Sequence, residues 1–425
     1  MTSKLERTPN QFALSAFWFA WEVHWAALLG AAMQAQVARF IEPSVTGVAT
    51  AILSGAGAFF SIAAQYGAGK ASDAAGRRIP FIVVGTLLDV AALFGFALAP
   101  SFSTVVLAFV AVQISLNIAG GPYQALIPDR VPRSRHGGAS AIMALYRLAG
   151  TAAGLLLAKA LVLQPGPKVT EPMLTHGLLS LATALSIVLL AALAITIFGV
   201  PDRASAASGP NASSAAAIAP QAWPERASFI WLIVSRSLVS MGLYLILPFF
   251  AFFLRFALHV QAYLQTNLTL LLTIVGFSLL GTLPAWLLGD RLSKRTIMFA
   301  ALAFLALGAL LVATTSGVQR LGVLAAILGI GWGVYYAVDW ALACNLLPAG
   351  RAGALMAIWN IGASGPQVLS PLIGGVIADR VGAASGDQGA GYRVLFELVC
   401  AYVVLGAVAL AFVREPRGGK AAERS

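Results

Sequence analysis

Long apolar stretches alternate with short polar breaks over nearly the whole chain. Twelve of them are long enough for a helix of about 20 residues, the length that crosses the hydrocarbon core of a bilayer. They cover residues 12–38, 46–68, 79–100, 104–127, 140–163, 173–200, 228–254, 260–288, 296–315, 321–347, 352–378 and 392–413. None shows the period-two alternation of a membrane β-barrel strand. Backbone groups in lipid must find partners inside their own segment, so each run predicts a helix. The pattern predicts an all-α polytopic membrane protein with twelve transmembrane helices. The segment before Phe12 is polar, and the first run is of full span length without a small-residue cleavage site. It therefore reads as a first span and not as a signal peptide.

Composition narrows the class. Charged residues make up 10% of the chain and hydrophobic ones 59%, where soluble domains carry roughly 25% charge. That excludes a soluble enzyme, a disordered chain and a nucleic-acid-binding module. The net charge of +11 does not restore a nucleic-acid partner, because the basic residues are scattered between apolar runs. With both termini placed in the cytoplasm, 18 Lys and Arg fall in inside segments, 6 fall outside and 3 fall within spans. This threefold bias is the positive-inside signature and sets the orientation. The expected location is the plasma (cell inner) membrane, multi-pass, with the lipid bilayer as partner. Cys344 and Cys400 both fall inside predicted helices and make no CxxC or disulfide framework.

The longest polar interruption, 201–227, is rich in Ala, Ser and Pro and reads as a flexible cytoplasmic linker. It separates a six-helix bundle at 1–200 from another at 228–425. The halves echo each other. Asp73-Ala-Ala-Gly76-Arg77-Arg78 follows the second span, and Asp290-Arg-Leu-Ser293-Lys294-Arg295 follows the eighth, 217 residues later. Met143-Ala-Leu-Tyr146 and Met356-Ala-Ile-Trp359 lie 213 residues apart. Two echoes at nearly one offset indicate duplication into pseudo-repeats. Parallel six-helix repeats are a transporter architecture, with substrate held near the midplane at the repeat interface.

The segment Gly69-Lys-Ala-Ser-Asp73-Ala-Ala-Gly76-Arg77-Arg78 resembles the loop signature of the major facilitator superfamily. The resemblance implies that fold, and alternating access in which Gly69, Asp73, Gly76, Arg77 and Arg78 latch one conformation. Carboxylates and guanidinium groups at helix ends form charged hydrogen bonds and meet helix dipoles, which suits a latch. The competing reading is that these residues are positive-inside anchors only. In the second copy Asp290, Lys294 and Arg295 match, whereas Trp286 and Ser293 stand where the pattern has glycine. Two further stretches, Pro122-Tyr-Gln-Ala-Leu-Ile-Pro-Asp129 and Trp359-Asn360-Ile-Gly-Ala-Ser-Gly-Pro-Gln367, resemble the sugar–cation symporters of the glycoside–pentoside–hexuronide and sucrose-transporter type. His136 stands before Gly137 where that pattern more often has Arg.

Charges at mid-bilayer are costly and usually face a cavity or a partner. Glu22 and His24 lie about 200° apart around a helix, so they face different ways. Trp18, Glu22 and Trp25 share a face at i, i+4, i+7. A carboxylate between indole rings suits a proton-coupled polyol site, because the rings can stack on sugar C–H faces; the alternative is an interfacial tryptophan belt around a structurally bonded Glu22. Asp339, with Tyr335, Tyr336 and Trp340 beside it, is the second buried acid. Arg147 and Arg236 are the candidate partners, and the sequence leaves all four pairings with Glu22 and Asp339 open. Asp89, mid-span in the third helix, reads as structural. Gln113, Asn117, Trp359, Asn360 and Gln367 complete the candidate substrate-binding set. Hydrogen bonding between helices competes with that role.

No Walker motif, metal-ligand spacing or catalytic set is evident, so neither an enzyme nor a cofactor is expected. The expected function is secondary active transport of a small solute, a sugar or glycoside, by symport with protons or another cation, by a monomer. Efflux of drug-like or amphipathic molecules is the alternative, and a polytopic membrane enzyme or transport-dead sensor is the rival of a different class.

Overall fold

The computed structural model describes residues 10–126, 131, 136–163, 169–200, 223–288, 293–346 and 352–415. Of the expected linker, 201–222 lies outside these residues, as do Asp290 and Arg291. Twelve helices long and apolar enough to cross a membrane lie among them. They are α1 (Gln11–Phe40), α2 (Thr46–Ala75), α3 (Ile79–Ala97), α4 (Phe102–Gln124), α5 (His136–Leu161), α6 (Glu171–Gly199), α7 (Arg226–Phe256), α8 (Tyr263–Leu288), α9 (Lys294–Thr314), α10 (Leu321–Asn345), α11 (Ala352–Ser385) and α12 (Gln388–Ala411). No strand occurs among the described residues.

Local chemistry sets the helix ends. The Asn10 side chain accepts the Phe12 N–H at 2.9 Å and starts α1. Ser101 and Thr104 form a reciprocal capping box at α4. Ser293 accepts the Thr296 N–H at α9, and Asp387 accepts the Gly389 N–H at α12. Gly76, with φ of +65°, takes the left-handed conformation that ends α2 and turns the chain into α3.

The chain forms two compact units, Met1–Glu42 with Ile52–Ile218, and Pro43–Ala51 with Ala219–Ser425. In the first, α1 packs on α5 and α6, and α3 packs on α4 and α6. In the second, α7 packs on α11 and α12, and α9 packs on α10 and α12. The same four pairings recur six helices later, as duplication requires. Helix contacts come down to backbone in both units. A Cβ on Gly150 or Gly154 of α5 would lie 2.4 or 2.3 Å from the Phe19 or Val23 carbonyl oxygen of α1. One on Gly333 of α10 would lie 1.9 Å from the Ser278 carbonyl of α8. Small residues that admit such approach drive helix association where no hydrophobic force acts between helices. The outward faces stay apolar: Leu107, Ile187 and Phe198 are well exposed, as lipid and not water demands.

Two helices run well past their sequence-based ends: α2, expected to end at residue 68, continues to Ala75, and α11 is the second. The run predicted to end at residue 378 continues through Asp379 and Arg380 to Ser385. Within the second unit, the Asp379 carboxylate accepts the Gly47 and Val48 N–H groups at 2.9 and 2.7 Å, so its charge is satisfied inside a helix.

Candidate functional site

Helix α1 carries two polar faces, as the angle between Glu22 and His24 requires. On one, Glu22 Oε1 accepts from Arg147 Nε of α5 at 2.6 Å, and Oε2 accepts from the Thr151 hydroxyl at 3.4 Å. Thr151 sits one turn beyond Arg147 and also donates to its carbonyl. The Arg147 guanidinium lies 5.0 Å from the centre of the Trp18 ring. Trp18, Trp21 and Trp25 form an edge-to-face series at 6.1 and 6.3 Å, and Tyr123 of α4 joins it at 5.7 Å from Trp18. Trp21 fills the space over Gly120. This pair is part-open, with the Arg147 side chain 43% exposed.

On the other face, His24 is fully buried with Nε2 3.2 Å from Asp89 Oδ2 of α3. Asp89 Oδ1 accepts the Ser115 hydroxyl of α4 at 3.0 Å. Asp89 is thus a buried ionisable group beside a buried ionisable neighbour, and His24 Nδ1, His24 Nε2 and Asp89 Oδ2 have no hydrogen-bond partner among the described residues.

In the second unit Arg236 of α7 pairs with Asp339 of α10. Their side chains are only 9% and 1% exposed. The guanidinium lies 3.6 Å from the centre of the Trp359 ring on α11, a cation–π contact in a desolvated setting. Tyr335, one turn before Asp339, is buried beside the pair. Four buried polar atoms of this cluster have no hydrogen-bond partner among the described residues: Arg236 Nε, Asp339 Oδ1, the Tyr335 hydroxyl and Trp359 Nε1. The Trp18 Nε1 of the first unit is in the same position.

Of the four pairings the sequence left open, the structure forms Glu22–Arg147 and Asp339–Arg236. It does not bring every predicted residue to these pairs. Tyr336 is more than half exposed, and its ring contact is with Trp332. Asn117 donates to the Gln113 carbonyl within α4, and both are buried. Gln367 is half-buried on α11, and the side chain of Asn360 lies outside the described residues. Sequence reading did not single out Trp21, Thr151 or the His24–Asp89 contact. A tryptophan recurring at 18, 21 and 25 was the available signal for the first.

At the α2–α3 turn, Arg78 is buried and bonds Asp73 at 2.5 Å and the Ser72 hydroxyl at 2.6 Å. Arg77 is exposed, and a Cβ on Gly69 would meet open space. In the second copy, the Lys294 and Arg295 N–H groups opening α9 donate to the Glu415 carboxylate, each at 3.3 Å. The Arg295 guanidinium donates to the Ala411 carbonyl at 2.7 Å.

The fold recurs in solved membrane transporters. A D-xylose–proton symporter superposes with a TM-score of 0.74 at 14% identity, over 96% of this chain and 98% of that one. A bacterial homologue of the human lysosomal transporter Spinster, inward-facing and occupied, gives 0.74 at 14% over 95% of each chain. The nucleoside transporter NupG gives 0.67 at 14% over 96% and 99%. No curated protein matches the sequence. The family model of the Major Facilitator Superfamily matches residues 9–354 and 232–425. With the twelve-helix plan and its repeated packing, that match means that the chain belongs to the Major Facilitator Superfamily and is a multi-pass membrane transporter.

Proposed function

We propose that this transporter moves a small hydroxylated solute, a sugar or glycoside, by proton-coupled alternating access in the plasma membrane, with both termini cytoplasmic. The observation that carries the reading is the set of orphaned polar atoms around Arg236 and Asp339. Each buried polar atom left without a partner costs about 1–3 kcal/mol, and four adjoin one ion pair. They offer donors (Arg236 Nε, Trp359 Nε1), an acceptor (Asp339 Oδ1) and a hydroxyl that does both (Tyr335). A polyol presents the complementary set, and the Trp359 indole beside these atoms suits stacking on its C–H surfaces. Glu22 and Asp339 are the proton-coupling acids, each held by an arginine. Release of the arginine on protonation is the coupling step. Asp73 with Arg78, and Lys294 with Arg295, serve as conformational latches. The xylose–proton symporter with the same fold lends support to this substrate class.

The Trp18–Trp21–Trp25 series favours one other reading, export of amphipathic aromatic molecules, since such a wall binds flat apolar surfaces. A thermal-shift screen of purified protein against neutral sugars, glycosides and amphipathic cations separates the two. Hydroxylated ligands should stabilise the protein, and the stabilisation should be lost in Trp359→Leu and Tyr335→Phe. Stabilisation by amphipathic cations alone would overturn the sugar reading.

A further inference from the structure

Arg236 and Asp339 meet through one nitrogen and one oxygen, Nη1 donating to Oδ2. A guanidinium can instead hold a carboxylate as a fork, with two parallel N–H groups on two oxygens. This pair does not use the fork. Arg236 Nε and Asp339 Oδ1 both lack a partner among the described residues. Trp359 lies against the guanidinium face, so the edge that carries Nε is the part left to a ligand. Arg236 is also the more open member of the pair, 9% exposed against 1% for Asp339. An incoming group therefore meets the guanidinium before the carboxylate.

The unpartnered atoms of the cluster do not balance. Arg236 Nε and Trp359 Nε1 only donate, the Tyr335 hydroxyl donates or accepts, and Asp339 Oδ1 only accepts while it is ionised. Each solute hydroxyl placed here brings a hydrogen that needs an acceptor, and acceptors are what the cluster lacks. A carboxylate brings none, because it accepts only. Its bonds from Arg236 are charge-assisted, the stronger kind.

Charge completes the argument. Arg236 and Asp339 together are neutral, so an anion beside them leaves one buried negative charge, and such a charge is neutralised by a proton. Arg236 is the charged group that acts on Asp339, and Tyr335, with Tyr336 beyond it, is the ionisable neighbour. Helix α8 carries no charged residue, and the other charged residues of α7, α9 and α11 lie toward the helix ends. Asp339 is thus the group placed to take the proton. The proton joins its carboxylate, the bond from Arg236 Nη1 is given up, and Arg236 pairs with the solute.

We propose that the solute is a hydroxylated monocarboxylate, an acidic sugar, whose carboxylate takes the Nε edge of Arg236 while Asp339 is protonated in exchange. This rests on the reading of the cluster as the solute site and narrows its substrate class.

Calorimetric titration of the full-length protein in nanodiscs tests it with pairs that differ in one group: glucuronate against glucose, galacturonate against galactose, gluconate against glucitol. At least one acid should bind about tenfold or more tighter than its neutral partner, since its bonds are charge-assisted. Asp339→Asn, which mimics the protonated carboxyl, should keep acid binding and take up about one proton fewer than wild type, read from buffers of unlike ionisation enthalpy. Adding Arg236→Gln to Asp339→Asn strands no charge and should erase the preference for the acid. Neutral sugars that bind as tightly as their acids overturn the carboxylate and leave the hydroxylated-solute reading standing; binding of neither overturns both. The wild-type comparison needs no variant. An acid preference kept in the double variant, or proton uptake unchanged in Asp339→Asn, overturns the assignment to this pair.

Discussion

The two arginine–carboxylate pairs differ in burial, and that difference predicts opposite outcomes on truncation. Asp339→Leu leaves the Arg236 guanidinium charged, 9% exposed and pressed on Trp359. Stranding one partner of a buried pair costs about 3–5 kcal/mol, whereas replacing both by apolar groups of similar volume is about neutral or stabilising. The double variant Asp339→Leu with Arg236→Met should therefore recover most of the stability that either single change loses. Arg147, 43% exposed, is far less enclosed by protein than Arg236, so Glu22→Leu should cost clearly less than Asp339→Leu, about 1 kcal/mol. Intrinsic fluorescence of the nine tryptophans reads thermal unfolding of protein purified in detergent. One kcal/mol moves the midpoint by about 2 °C or less in a chain of this size. Asp339→Leu should then fall by about 5 °C, with the double variant and Glu22→Leu within about 2 °C of wild type. Equal losses in Asp339→Leu and Glu22→Leu, or no recovery in the double variant, would refute the reasoning from burial.

Three further outcomes follow. His24→Leu takes away the imidazole 3.2 Å from Asp89 Oδ2 and leaves the carboxyl group against an apolar side chain, so it should lose about 3 kcal/mol, restored by adding Asp89→Leu; a double variant as unstable as the single one refutes the pairing. Gly333→Ala drives a methyl into the Ser278 carbonyl and should cost at least about 1–3 kcal/mol, while Gly67→Ala meets open space in mid-helix and should gain up to about 1 kcal/mol, both read from the same unfolding midpoints. Arg393→Met removes a guanidinium that donates to the Ala313, Thr315 and Ala257 carbonyls, so the C-terminal ends of α9 and α7 should loosen by about 3 kcal/mol and exchange amide hydrogens faster.

The helices were legible because lipid imposes one rule, a run of apolar residues long enough to span. That rule mis-set the end of α11, since Asp379 finds its partners in residues 47 and 48, far away in sequence. The two faces of α1 were legible from helical angle alone. Their partners were not, because Arg147 and Asp89 lie on other helices, and periodicity does not say which helix packs where. The π-helical turn at Leu28–Ala32 of α1 had no local signal: Leu-Leu-Gly-Ala-Ala reads as ordinary span, and its stabilising contact comes from the Gln34 side chain. Tyr335 and Tyr336 looked equivalent in sequence. A step of about 100° buries one beside Asp339 and leaves the other more than half exposed.

Proton-driven flux in proteoliposomes tests the central claim most directly. With a sugar found by the ligand screen, wild-type protein should accumulate the solute when the pH outside is lower and should exchange it in counterflow without a gradient. Glu22→Gln and Asp339→Asn should lose accumulation and keep counterflow. Full accumulation in both variants, or wild-type flux indifferent to the pH gradient, would contradict the assignment of these two acids as the proton-coupling groups.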